Sequence, residues 1–224
     1  MSAGEPLEIV VGDRIGPVSG LLLRPPEAWA GYVLAHGAGA GMEHPFLESV
    51  ARALLARGVA TLRYQFPYAQ AGGRRPDPPG VLLATVRAAV ARARELLPGI
   101  RLFAGGKSMG GRMTSNAAAE RPLDEVAGLI FLGFPLHRPK LPAIERAEHL
   151  DRVTVPMLFL QGTRDDLADL GLMREVCARL GPRATLHVVE GADHSFAVLK
   201  RSGRTAGEVL EELADTVAAW GRSV

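Results

Sequence analysis

The sequence predicts an α/β protein: a mostly parallel, twisted sheet of about seven or eight strands with helices on both faces and no large cap domain. Three observations carry this. Strand-like and helix-like segments alternate almost throughout the chain. Residues 126–132 form a wholly apolar run without polar alternation, as strands covered on both faces do. The length, 224 residues, suits one α/β domain and is enough to bury a substantial core. We therefore expect residues 1–224 to form a single domain.

The elements follow in order. Residues 7–11 and 20–24 are short, β-rich and separated by Gly12-Asp13-Arg14-Ile15-Gly16-Pro17, which reads as an opening hairpin-like pair. Residues 31–35 form a buried strand. Residues 44–57 form a helix, with Pro45 suited to the first turn and Phe46, Val50 and Leu54 on one face. A strand follows at 59–63. Residues 82–97 are helical, with Leu82, Val86, Ala89, Val90 and Ala93 facing inward. Residues 101–104 form a strand and 109–119 a helix. Strands at 126–132 and 157–160, a helix at 170–180 and a last strand at 185–189 continue the pattern. The closing helix spans 205–220, with Thr205 and Glu208 at capping-box spacing. Two long loops, 64–80 and 133–155, follow strand ends. Ligands sit at such ends in parallel sheets, and loops of this length tend to be functional.

Composition excludes several classes. The chain is 47% apolar and 22% charged, with a net charge of +2. No strong nucleic-acid or anionic-membrane partner is implied. Basic residues are almost all arginine, and no basic run exceeds a pair such as Arg74-Arg75. No apolar stretch approaches a membrane span. One cysteine fits a reducing compartment, so a cytoplasmic location is expected. The N-terminus lacks the basic and apolar regions of a secretory leader. His44, His137, His149 and His187 lack metal-ligand spacing, so neither metal nor cofactor is expected. Cys177 shares a helical face with Met173, Val176 and Leu180 and reads as a core residue.

Gly106-Lys107-Ser108-Met109-Gly110 stands between a strand and a helix. A serine with glycines two residues before and after it, at such a turn, is the pattern of a strained nucleophile elbow. Two rival readings fail on spacing. A P-loop ending in Gly106-Lys107-Ser108 needs a glycine where Arg101 stands. A dinucleotide loop at His36-Gly37-Ala38-Gly39-Ala40-Gly41 needs a glycine where Met42 stands.

A serine nucleophile needs a base, and the base needs an orienting carboxylate. After the strand at 157–160 comes Gln161-Gly162-Thr163-Arg164-Asp165-Asp166. After the strand at 185–189 comes Glu190-Gly191-Ala192-Asp193-His194. Ser108, Asp165 and His194 would thus meet at one sheet edge, in the chain order serine, acid, histidine. Asp165 is preferred as the acid because it lies nearer the strand end. Asp166 remains the alternative, and it or Asp169 could instead cap the next helix. Asp193 reads as a turn residue. The Met109 and Ala38 amides, with Gly39 next, are the candidate oxyanion donors.

Around them, His36 could brace the glycine loop or line a substrate pocket. Tyr64, Phe66 and Tyr68 could form that pocket or serve packing. Lys107 reads as exposed beside the elbow or paired with a carboxylate, and it is a further candidate for lining the substrate pocket. Arg112 could hold the elbow helix to a neighbouring loop.

At these residues the chain resembles the small, capless α/β-hydrolases related to dienelactone hydrolase. Its nearest likeness is an uncharacterised branch with H-G-A-G, F-P-Y, G-K-S-M-G-G-R and Q-G-T-R-D segments. These stand here at residues 36–39, 66–68, 106–112 and 161–165. Phe134-Pro135-Leu136-His137 and Asp193-His194-Ser195-Phe196 match as well, so the resemblance runs from about residue 32 to the C-terminus. It implies a Ser-Asp-His hydrolase without supplying a substrate. Dienelactone hydrolase itself uses cysteine where Ser108 stands. The expected activity is cleavage of a small ester or thioester. The alternative is a non-catalytic small-molecule binding protein of the same fold. The sequence leaves open whether the chain forms a homo-oligomer.

Overall fold

The computed structural model describes residues 4–224. Eight strands form one sheet, β1 (Glu5–Val10), β2 (Pro17–Leu23), β3 (Ala30–Ala35), β4 (Val59–Tyr64), β5 (Arg101–Lys107), β6 (Val126–Leu132), β7 (Met157–Gly162) and β8 (Ala184–Val189). Their order is β1-β2-β4-β3-β5-β6-β7-β8. The opening pair is antiparallel, as is β2 against β4. All remaining pairs are parallel.

Helices α1 (Pro45–Leu55) and α6 (Ala206–Ser223) cover one face. There Leu47, Val50, Leu54, Leu213, Val217 and Trp220 pack on Tyr32, Leu34, Ile130 and Leu160. Helices α3 (Pro79–Leu96), α4 (Met109–Glu120) and α5 (Leu170–Leu180) cover the other, against Val33, Leu62, Leu129 and Phe159. Alternate residues of one strand feed opposite layers because side chains in a strand alternate between faces. This is why β3 and β6 read as unbroken apolar runs. Thr205 and Glu208 form the capping box that starts α6. Pro45 starts α1, with His44 accepting from the Phe46 amide.

Several boundaries differ from the sequence reading. β5 runs three residues further, to Lys107, because Gly105 and Gly106 remain paired with both β3 and β6. α3 begins at Pro79 rather than at 82, since proline is suited to the first helical position. The two long loops are partly ordered as helix. The first contains α2 (Pro67–Gln70), and the second contains a 3-10 segment, Glu145–Arg152. Both are too short to show a periodicity. Among the described residues, no helix is long and apolar enough to cross a membrane.

Candidate active site

The site is built where β5 turns into α4. Ser108 has φ 51° and ψ −118°, a strained backbone for a residue with a side chain. The flanking glycines make the turn possible. A Cβ on Gly106 would stand 2.3 Å from the Ala35 carbonyl oxygen, and one on Gly110 would stand 2.5 Å from that of His36. The Ser108 amide is tied to the Leu132 carbonyl at 3.2 Å. The serine is thus lifted to the carboxyl end of the parallel strands.

The ends of β7 and β8 supply the partners. His194 Nε2 lies 2.9 Å from Ser108 Oγ, and His194 Nδ1 lies 2.7 Å from Asp165 Oδ2. Asp165 is buried, 7% exposed, whereas Asp166 faces solvent. Asp165 Oδ1 accepts from the Leu167 amide at 2.8 Å. Asp169, not Asp166, caps α5 by accepting from the Leu172 amide. Asp193 Oδ1 accepts from the Ser195 and Ala197 amides, holding the turn that presents His194.

Two residues of this arrangement were not singled out from the sequence. Gln161 donates through Nε2 to Asp165 Oδ2 and accepts from the Phe134 amide through Oε1. Its signal was a glutamine at the end of an otherwise apolar strand, where a buried amide must find partners. Gly133 is the other. A Cβ there would lie 3.2 Å from Lys107 Nζ and 3.4 Å from His194 Nδ1, and its φ is +69°.

Lys107 is neither exposed beside the elbow nor paired, which corrects both sequence expectations. Its Nζ is shut off from solvent and has no hydrogen-bond partner among the described residues. It rests 5.7 Å from the centre of the Phe196 ring. Burial pushes its pKa down to about 8, against the opposing pull of Asp165 and Asp193. A long stem lets it fold back under the histidine turn, away from water.

Of the two readings for Tyr64, Phe66 and Tyr68, a pocket or packing, the structure shows packing. All three are buried, with Tyr64 and Phe66 in T-shaped contact and Phe66 stacked on Tyr68. They pack in the α3 layer and line neither cavity at Ser108. His36 does not line them either. It is fully buried, with Nδ1 2.8 Å from the Gly37 carbonyl and Nε2 accepting from the Phe66 amide at 3.1 Å. It therefore ties the glycine loop to the segment after β4, and burial holds its pKa below the usual value.

Two cavities meet at Ser108 and share Ala38 and Leu167. One, about 350 Å³, is lined by Phe46, Leu47, Lys107 and His194 among others. The other, about 470 Å³, adds Met109, Arg112 and Arg146. In the first, the Gly37–Ala40 turn, closed by an Ala40 amide to Gly37 carbonyl bond, faces the serine.

A second serine–histidine contact, Ser115 Oγ to His149 Nε2 at 2.7 Å, lies buried beneath α4. Burial, with Arg112 and Arg152 nearby, pushes His149 down to about 4. Neither residue lines a cavity at Ser108, and no carboxylate orients the ring. Cys177 packs partly buried on the core, and burial pushes its thiol up to about 11, which leaves it a weak nucleophile. No group of residues able to hold a metal ion occurs among the described residues.

A strained serine between close-packed glycines, facing a histidine and a buried acid at adjacent strand ends, is the site architecture of a serine hydrolase. The alpha/beta hydrolase domain family matches residues 29–222, and the chain belongs to it. Solved structures agree on the fold. An alpha-beta serine hydrolase homologue from Coxiella burnetii is 20% identical with a TM-score of 0.77, covering 97% of this chain and 99% of that one. An α/β serine hydrolase without lid from Xanthomonas campestris is 21% identical with a TM-score of 0.74, covering 96% and 94%. Dienelactone hydrolase from Anabaena variabilis is 23% identical with a TM-score of 0.75, covering 98% and 96%. The protein is a capless α/β hydrolase, as the sequence resemblance implied.

Proposed function

We propose that the protein cleaves a small ester or thioester through an acyl-enzyme on Ser108. The observation that carries this is the unbroken contact from Ser108 Oγ through the His194 ring to Asp165. His194 Nε2 takes the hydroxyl proton as Ser108 Oγ bonds to the acyl carbon. The tetrahedral intermediate collapses, the C–O or C–S bond breaks, and His194 returns the proton to the leaving group. Water, deprotonated by His194, then attacks the acyl-enzyme and releases the acid. Asp165, held by Leu167 and Gln161, keeps the proton on Nδ1 and stabilises the imidazolium.

The oxyanion is assigned to the Met109 and Ala38 amides, with Gly39 adjacent. Met109 opens α4, and the first N–H groups of a helix have no partner within it. Ala38 lines both cavities at the serine. The substrate is a small molecule, which cavities of this size suit. The single free cysteine is compatible with the reducing cytoplasm.

The test is Ser108→Ala assayed on a short-chain 4-nitrophenyl ester. The variant should lose roughly 10³-fold or more in kcat. Unchanged hydrolysis would reject Ser108 as the nucleophile, whereas no hydrolysis by the wild type would favour a small-molecule binding protein of this fold.

A further inference from the structure

The larger cavity at Ser108 holds two arginines that the proposed chemistry does not use. Arg112 follows Ser108 by one turn of α4, its amide donating to the Ser108 carbonyl at 3.1 Å. The Arg112 side chain therefore leaves the helix roughly 6 Å further along its axis than that of Ser108. Its side chain makes no hydrogen bond or ion pair among the described residues. Only Nε is shut off from solvent, so the Nη groups remain accessible. Arg146, from the loop after β6, lines the same cavity. One of its Nη groups donates to the His137 carbonyl at 2.9 Å, and it too has no carboxylate partner.

The charges these arginines feel are those of other arginines. Burial lowers the pKa of Arg112, and Arg146 lowers it further. Burial does the same to Arg146, with Arg138 adding to it. Asp77 is the cavity's one carboxylate, and its Oδ2 accepts from the Tyr68 amide at 2.8 Å. Half-buried like charges without a partner destabilise the fold, and a bidentate anion between them removes that cost. Pro76 from the loop after β4, Pro79 at the first position of α3, and Pro135 and Pro139 from the loop after β6 stiffen the wall. The two long loops thus meet over a preformed, positively charged recess.

The reaction geometry says which half of an ester lies there. His194 must give a proton to the leaving alcohol or thiol, so that half occupies the cavity His194 lines. The acyl half is left the other cavity, where Arg112 and Arg146 stand and His194 does not.

We propose that Arg112 and Arg146 bind a second anionic group on the acyl chain, so that the substrates are half-esters or half-thioesters of short dicarboxylic acids. This rests on Ser108 being the nucleophile. Guanidinium forks match a carboxylate in two hydrogen bonds, which gives orientation as well as affinity. The apolar leaving-group cavity imposes no such charge requirement.

The test compares 4-nitrophenyl pentanoate with the mono-4-nitrophenyl ester of glutaric acid, equal in chain length and different by one carboxylate. Wild type should favour the glutarate ester at least tenfold in kcat/KM. Arg112→Met and Arg146→Met should each erase most of that preference through KM, and Arg112→Lys should restore part of it. A wild-type preference for pentanoate, or equal losses on both esters, overturns the proposal. A binding measurement needs no turnover: millimolar glutarate should raise the melting temperature of Ser108→Ala and fail to raise that of Ser108→Ala/Arg112→Met. Glutarate stabilisation that survives Arg112→Met, or none at all, also overturns it. If glutarate binds through Arg112 and the wild type still cleaves neither ester, the anion site stands and the hydrolase reading falls. Inorganic phosphate in place of glutarate tests whether the site accepts a tetrahedral anion instead; stabilisation by phosphate alone rejects the dicarboxylate assignment.

Discussion

Gln161 donates its side-chain amide to Asp165 Oδ2, the same oxygen that meets His194 Nδ1. One carboxylate oxygen thus carries two donors while Oδ1 takes the Leu167 amide. Every donor fixes the carboxylate plane, and the plane fixes the ring that faces Ser108. Gln161→Leu removes the donor and also strands the Phe134 amide. A hydrogen bond to a charged group is worth about 1.5–3 kcal/mol, so kcat on a neutral ester should fall about 10- to 100-fold. Steady-state kinetics read this. An unchanged kcat would show that Asp165 is positioned without Gln161.

Asp165 and Asp166 differ in contact although they are neighbours in sequence. Asp165→Asn offers an amide where Nδ1 needs an acceptor, and it should lose about 10⁴-fold in kcat, as tautomer errors do in serine proteases. Asp166→Asn should keep activity within about threefold, because its side chain faces solvent and touches neither partner. Comparable losses in both variants, measured on one ester at one pH, would contradict the assignment.

Gly110 and Gly133 leave room for different parts of the site. Gly110→Ala places a methyl against the His36 carbonyl at 2.5 Å and should strain the fold itself. A drop in melting temperature of several degrees is expected, the outcome of about 1–3 kcal/mol of overpacking. Gly133→Ala should act on the site more than on the fold. Its methyl crowds Lys107 Nζ and His194 Nδ1, so kcat should fall by more than tenfold. Thermal melts and kinetics on both variants separate the two effects. Full activity in Gly133→Ala would contradict the close approach.

Lys107 gives a pH signature in stability. Its folded pKa is lowered from 10.5 to about 8. Between these values the unfolded chain holds the proton and the folded one does not, so stability rises with pH across that window. Below about pH 8 the buried charge is a standing cost, on the order of 3 kcal/mol at most. Lys107→Met should therefore melt above wild type at pH 7, and the gap should narrow towards pH 10. Melting curves at both pH values test it; a gap that stays constant or widens contradicts it.

The fold was legible because its signals are local. Buried parallel strands read as apolar runs, and β6 and α5 match their expected bounds, residues 126–132 and 170–180. The elbow was legible through glycine spacing, and the strand ends before Asp165 and His194 marked where side chains would converge. What escaped depended on packing across the sheet. Nothing in the order of residues says that Tyr64 and Phe66 turn inward, or that Lys107 folds under the histidine turn. The short helix after Phe66 and the 3-10 segment after Ile144 are too brief to carry a periodic pattern. Arg112 was visible as a residue, but its lack of a partner appears only once the loop after β6 is folded over it.

The most direct measurement of the central claim is labelling of the folded protein with a fluorophosphonate, followed by peptide mass spectrometry. The account predicts one adduct per chain, on Ser108, formed at least 100-fold more slowly in His194→Ala. Absence of an adduct on folded wild type, or labelling at Ser115 or another serine while Ser108 stays free, would contradict it.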